Sequence, residues 1–307
     1  MTPSSSLRAS GVARWDQRSA GLSAAIVLLI VYVLVVLPPW LPLGWHHSDM
    51  DAYWLAGERI RAGELLYVTF AAGPDDAMNY RYAPWFAYLW APLTLLPRPI
   101  VDFGWFAILL GSGLALLAPL RGVAGLALAL LMLPPLFLGI GTGNVQTLMV
   151  AGLAFTLHTR AGPAVLALVA SLKGLPLLFV VVYVSRREWG KAASALGFTT
   201  LLVAPMLLYD LSAYPGGAER STLPVWTWPL VGLGLIASMR WHPALAAAGA
   251  VAALSPLQFL YNLTYLLVPL RTRQMPTLDI AEVGLGRIRL QAEIGVDVPH
   301  RQGGGYP

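Results

Sequence analysis

From residue 21 to residue 270 the chain is a succession of apolar runs, at 21–45, 83–97, 100–119, 122–141, 144–158, 163–184, 191–209, 224–239 and 243–270. A run of about 20 apolar residues is the length needed to cross a bilayer as a helix. Backbone polar groups inside lipid must be satisfied within the segment, so helices are the expected element. The pattern predicts an all-α, polytopic membrane protein with roughly eight to ten transmembrane helices, counted by that length rule. Charged residues make up only 11% of the chain, against roughly 25% in soluble domains.

Charge placement sets the orientation. Residues 1–20 carry Arg8, Arg14 and Arg18 against Asp16, which predicts a cytoplasmic tail. The run at 21–45 is too long for a signal core and lacks a small-residue cleavage site, so it is expected to be retained as a first helix. Residues 45–82 hold six of the fifteen acids and only three bases, which predicts an extracytoplasmic loop. "SRREWGK" at 185–191 reads as a cytoplasmic loop, and Arg271 and Arg273 place the C-terminal side in the cytoplasm. The expected organisation is a tail over 1–20, a transmembrane domain over 21–273 and a polar, weakly ordered tail over 274–307. A multi-pass bacterial plasma-membrane protein, surrounded by membrane lipids, is the implied setting.

Several function classes drop out. The net charge is +5, but the basic residues are scattered among loops, so no nucleic-acid partner is expected. There is no cysteine, which excludes disulfides, thiolate metal sites and thiol nucleophiles. No P-loop, dinucleotide fingerprint, HExxH or Ser-His-Asp arrangement is present, so ATP hydrolysis and hydride transfer have no support.

The densest group of titratable residues is "HHSDMDAYW" at 46–54. Three readings stay open for it. Ser48 with Asp51 three residues on has the form of a capping box, and Met50, Tyr53, Trp54, Gly57 and Ile60 then repeat as one helical stripe. Gly63 is a plausible stop, and such a helix would lie in the plane of the membrane surface. Asp49-Met50-Asp51 is also D-x-D, a pattern found at metal sites, although hard cations want more oxygen ligands than this. Finally, an Asp partly shielded from water can act as a general base.

Four further features stand out. Arg81, in "YRYAPWFAYLWAPLTLLP" at 80–97, could grip a phosphate or reach for lipid headgroups. Asn144 and Gln146, in "GIGTGNVQTLM" at 139–149, could join helices or bind substrate hydroxyls. Lys173 lies within an apolar run, where a lysine is costly unless paired or hydrated, and a phosphate partner would explain it. Gln258, Tyr261, Asn262 and Tyr265 recur along "LSPLQFLYNLTYLLVPL" at 254–270. Breaks are expected at Pro134-Pro135, "GIGTGN", "KGLP" and Ser255-Pro256, where backbone inside a bilayer would line a cavity.

Taken in order, these blocks resemble glycosyltransferase family 87, polyprenyl-phosphate-dependent enzymes of the GT-C membrane fold that include mannosyl- and arabinofuranosyltransferases. The resemblance runs from "SDMDAYWLAGERIRAGELLY" through "GTGNVQTLM" and "SLKGLPLLFVVVYVSRREW" to "LSPLQFLYNLTYLLVPL", roughly residues 20–273. Met50 stands where the family has an aromatic, Gly174 replaces a proline, and Tyr261 and Asn262 occupy the region where a histidine is usual.

The resemblance implies that Asp49 is the catalytic base with Asp51 as its neighbour. It implies a polyprenyl-phosphate sugar donor and a lipid or cell-envelope glycan acceptor. Lys173 and Arg81 would neutralise the donor phosphate. Tyr53, Arg59, Tyr82, Asn144, Gln146, Tyr261 and Asn262 complete the implied substrate-binding set. No cofactor and no bound metal are implied. The active site would face outward, with inversion at the anomeric carbon. A lipid-linked sugar transporter and a non-catalytic relative are the competing readings.

Overall fold

The computed structural model describes residues 48–69, 78–120, 122–212, 214, 228–239, 242–255 and 260–274. The expected tail over 1–20, the first span at 21–45, His46, His47, Gln258 and the tail beyond 274 lie outside the described residues. Residues 273–307 group as a unit of their own, and everything below concerns residues up to 272.

Regular structure among the described residues is helical, with no strand. The α-helices are α1 (Ser48–Ala62), α2 (Pro84–Trp90), α3 (Arg98–Leu117), α4 (Gly122–Gly141), α5 (Gln146–Thr156), α6 (Gly162–Lys173), α7 (Val180–Ser185), α8 (Trp189–Val203), α9 (Trp228–Met239), α10 (Pro243–Leu254) and α11 (Leu267–Gln274). Short 3₁₀ segments, Leu175–Phe179, Ala204–Leu208 and Leu260–Leu266, join or extend them. Helix α1 packs on α2, α3 on α5, α6 on α8, and α4 on the Leu260–Leu266 segment.

Two stretches among the described residues, Arg98–Leu117 and Trp189–Leu208, are long and apolar enough to cross a membrane. Gly125–Gly141, Gln146–Thr156, Gly162–Lys173, Leu175–Ser185 and Pro243–Leu254 are apolar but shorter. Several expected runs are therefore divided. The run at 163–184 breaks at Gly174, whose φ of +31° is a conformation that favours glycine. The run at 243–270 resolves into α10, a 3₁₀ segment and α11 rather than one long helix. Apolar side chains also face outward, with Leu207 and Leu208 82% and 87% exposed, which a chain in water tends to avoid over wide areas.

One expected break is absent. Helix α4 runs on through Pro134 and Pro135. A helical proline removes the donor for the carbonyl four residues earlier, here those of Leu130 and Leu131. These two residues sit on the outer side of the helix, 42% and 65% exposed. The lost hydrogen bonds thus fall away from the core.

The core around α1 is aromatic. The Tyr53 ring meets Tyr82 and Phe86 edge-on at 5.1 and 5.0 Å, with Trp90 tilted at 5.5 Å and Trp105 edge-on at 6.2 Å. Such pairs add about 0.5–1.5 kcal/mol each beyond burial. Helix α1 can approach α2 this closely because residue 57 is glycine. A Cβ there would lie 2.9 Å from the Trp90 carbonyl carbon and 3.0 Å from the Ala91 nitrogen. Met50, Tyr53 and Ala56 are fully buried, so the stripe read from the sequence faces protein.

Candidate functional site

The turn at 142–145 organises the site. Helix α4 ends at Gly141, and Gly143 turns the chain with φ +70° into α5. Three elements far away in sequence hold this turn. The Thr142 carbonyl accepts hydrogen bonds from the Asp49 and Met50 amides, at 3.2 and 3.4 Å. Trp105 Nε1, from α3, donates to the Gly143 carbonyl at 2.7 Å. The Val145 amide donates to the Tyr53 hydroxyl at 3.3 Å, which in turn donates to the Tyr82 hydroxyl at 3.0 Å. The first amides of a helix have no partner within it. In α1 two of them are satisfied by this turn, and the arrangement fixes where Asp49 points.

Asp49 keeps part of its surface open, yet its carboxylate is desolvated. Burial raises its pKa above the usual value of 3.8, because a low-dielectric environment disfavours the charged form. The positive charge of Lys173, the side chains of Asn144 and Thr142, and the charge of Arg81 act in the opposite sense, in that order. Asp49, Lys173 and Arg81 therefore lie within electrostatic reach of one another, drawn from α1, the end of α6 and the segment before α2.

Lys173 is the last residue of α6, where the helix dipole favours a cation. Its Nζ donates to the Asn144 Oδ1 at 3.2 Å and lies 4.7 Å from the centre of the Tyr261 ring. The same Asn144 oxygen caps α5 by accepting from the Gln146 amide at 2.9 Å. Trp85 Nε1 donates to Ser171 Oγ at 3.0 Å and ties α2 to α6 two residues before the lysine. The Arg81 carbonyl accepts from the Tyr214 hydroxyl at 3.0 Å. Asn144, Gln146, Tyr261 and Asn262 are all buried.

Asp51 is placed differently. Two residues along a helix is a rotation of about 200°, so Asp51 and Asp49 leave opposite sides of α1. The Asp51 carboxylate pairs with Arg98, which also pairs with Asp102. The Arg98 guanidinium sits 4.7 Å over the Trp54 ring. The carboxylate expected to close a capping box is thus engaged by the start of α3. Arg59 is ten residues beyond Asp49, about 15 Å along the axis. It donates to the Leu66 carbonyl at 3.4 Å, near Glu64.

No group of three or more acids and histidines that could hold a metal occurs among the described residues. Residues that sequence reasoning passed over are Thr142, Trp105 and Arg98. Trp105 reads as core in an apolar run, and Thr142 holds α1 through its backbone carbonyl, which no side-chain pattern reveals, while its side chain also acts on Asp49.

A wider likeness accompanies this geometry. Residues 80–216 match glycosyltransferase family 87. Over that segment the chain is similar to the glycosyltransferases of this family, as the order of its sequence blocks suggests. It contains Arg81, Tyr82, Asn144, Gln146 and Lys173. Asp49, Asp51, Tyr53 and Arg59 precede it, and Tyr261 and Asn262 follow it. No curated protein and no solved structure matches the chain.

Proposed function

We propose that this chain is a family 87 glycosyltransferase, a polytopic membrane protein that transfers a sugar, mannose or arabinofuranose, from a polyprenyl-phosphate donor to a lipid or cell-envelope glycan on the outer side of a bacterial plasma membrane. The observation that carries the reading is the desolvated Asp49 carboxylate facing Lys173 and Arg81. A base beside two cations is what a displacement with a phosphate leaving group needs.

In the proposed step the acceptor hydroxyl attacks the anomeric carbon. The new carbon–oxygen bond forms as the bond to the polyprenyl phosphate breaks. The hydroxyl proton passes to Asp49, and the leaving phosphate takes its charge to Lys173 and Arg81. Positioned general-base catalysis contributes about 10²–10⁴-fold, and cations aimed at a developing phosphate charge add to it. A double displacement would need a second carboxylate close to the first. With Asp51 drawn to Arg98, a single, inverting displacement fits better.

The donor also tunes the base. Lys173 holds the Asp49 pKa down until an incoming phosphate competes for it. Bound donor thereby makes Asp49 a stronger base at the moment it is needed. Tyr53, Tyr82, Asn144, Gln146, Tyr261 and Asn262 line or support this site. Arg59 and Asp51 support α1 from outside it.

The test supplies membranes containing the full chain with polyprenyl-phosphate mannose or polyprenyl-phosphate arabinofuranose and follows labelled sugar. Transfer by the parent, lost in Asp49→Asn and kept in Asp51→Asn, is expected. Undiminished transfer by Asp49→Asn would remove the base assignment. A parent that consumes neither donor but moves labelled lipid across the bilayer would be a transporter.

A further inference from the structure

Two buried hydroxyls, of Thr147 and Tyr265, have no part in the proposed displacement. Gln146 Oε1 and Nε2, Thr147 Oγ1, Asn144 Nδ2 and the Tyr265 hydroxyl are all buried without a hydrogen-bond partner. Gln146, Thr147, Asn144 and Tyr265 are each at most 1% exposed. Buried polar groups are normally satisfied, and each exception calls for a reason. The Gln146 and Tyr265 side chains are neighbours, and Thr147 follows Gln146 on α5.

They are also brought together by the fold. Gln146 and Thr147 open α5, directly after the turn that holds Asp49. Tyr265 comes from the Leu260–Leu266 segment, which packs against both α4 and α5. Its hydroxyl lies toward the Gln146 amide but short of bonding geometry. The Cβ side of Gly139 looks onto Thr147 Oγ1 at 3.4 Å and the Tyr261 Cβ at 3.5 Å. Asn144 belongs to the Asp49 side of the site, with its oxygen on Lys173 and the Gln146 amide and its side chain also reaching the Asp49 carboxylate.

The chemistry of the set is specific. It has no charged group, so it does not match a phosphate. An amide and two hydroxyls offer donors and acceptors together, which suits an uncharged ligand carrying several hydroxyls. Building on the reading above, we propose that Gln146, Thr147 and Tyr265 form the subsite for the sugar ring of the donor, while Lys173 and Arg81 take its phosphate. Thr147 and Tyr265 thereby become specificity residues. The cluster is sealed in this conformation, so access requires the Leu260–Leu266 segment to shift. That segment is 3₁₀, a tighter and weaker helix than α.

The experiment compares binding of polyprenyl-phosphate mannose and polyprenyl-phosphate arabinofuranose with binding of the same polyprenyl phosphate without sugar. It uses the full chain in nanodiscs and the variants Tyr265→Phe and Thr147→Val. The parent should prefer a sugar-bearing lipid. The variants should lose roughly 10–100-fold of that preference, because a site built for hydroxyls discriminates through the groups left unpaired. Their affinity for the bare phosphate should be unchanged. Without lipid, their thermal midpoints should be equal to or above the parent's, since groups with no partner are being removed.

Unchanged sugar preference in Tyr265→Phe and Thr147→Val would overturn the subsite even if Lys173→Met abolishes phosphate binding. Lowered midpoints with sugar preference intact would mark the cluster as structural, satisfied by buried water. A parent that binds none of the three lipids would remove the donor reading and the subsite with it.

Discussion

Asp49 and Asp51 are separated by one methionine, yet they inhabit different chemistry. Asp49 is desolvated and faces two cations and an asparagine it does not fully bond. Asp51 is gripped by Arg98, which is itself held by Asp102 and stacked on Trp54. The first carboxylate is held ready and costs stability; the second is saturated and contributes to it. Position on a helix, rather than residue type, separates a reactive group from a structural one.

The contrast can be broken most directly at Asp49. Asp49→Asn should lower sugar transfer by about 10²–10⁴-fold, while Asp51→Asn keeps most of it. The pH dependence sharpens the point. Transfer needs ionised Asp49, so the parent's rate should rise with pH through a value above the usual 3.8. The same shift bears on stability. A folded pKa above the unfolded one means that the folded chain binds this proton more tightly. The contribution is full below the unfolded value and is lost as pH rises through the folded one. Asp49→Asn should flatten that part of the stability curve, seen in thermal midpoints across pH.

Next in size is the cation. Lys173→Met removes a charged hydrogen-bond donor, and such bonds contribute about 1.5–3 kcal/mol. The donor KM should rise roughly 10–100-fold by the same arithmetic. Asp51→Asn belongs to stability instead. It should destabilise by no more than about 1 kcal/mol, because the pair is part-exposed and Arg98 keeps Asp102, measured by denaturation in detergent. The smallest effect is expected at Arg59. Arg59→Met should change transfer by no more than about twofold, as for a substitution outside the special sites.

Much of α1 was legible in the sequence. Its apolar stripe and its stop at Gly63 follow from periodicity and turn chemistry. So did the interruption at "KGLP", where a glycine and a proline act together. Pro134-Pro135 misled, because the cost of a helical proline depends on which carbonyls lose their donors, and that depends on packing. The pairing of Asp51 with Arg98 joins residues 47 apart, beyond any local pattern. Trp105 and Thr142 act on backbone groups, which every residue has, so their side chains carried no distinguishing signal. The unbonded cluster at Gln146 was visible only as scattered amides and hydroxyls until the Leu260–Leu266 segment was placed beside α5.

The two amides of α1 that rest on the Thr142 carbonyl have an implication for inheritance and for engineering. The acid and the turn that aims it travel as one piece, though most of the matched family segment begins between them. A chimera that imports the segment corresponding to 45–82 from a relative without its own "GTGN" turn would keep the aspartate and misdirect it. Deleting a single residue from 139–145 should silence the acid without touching it.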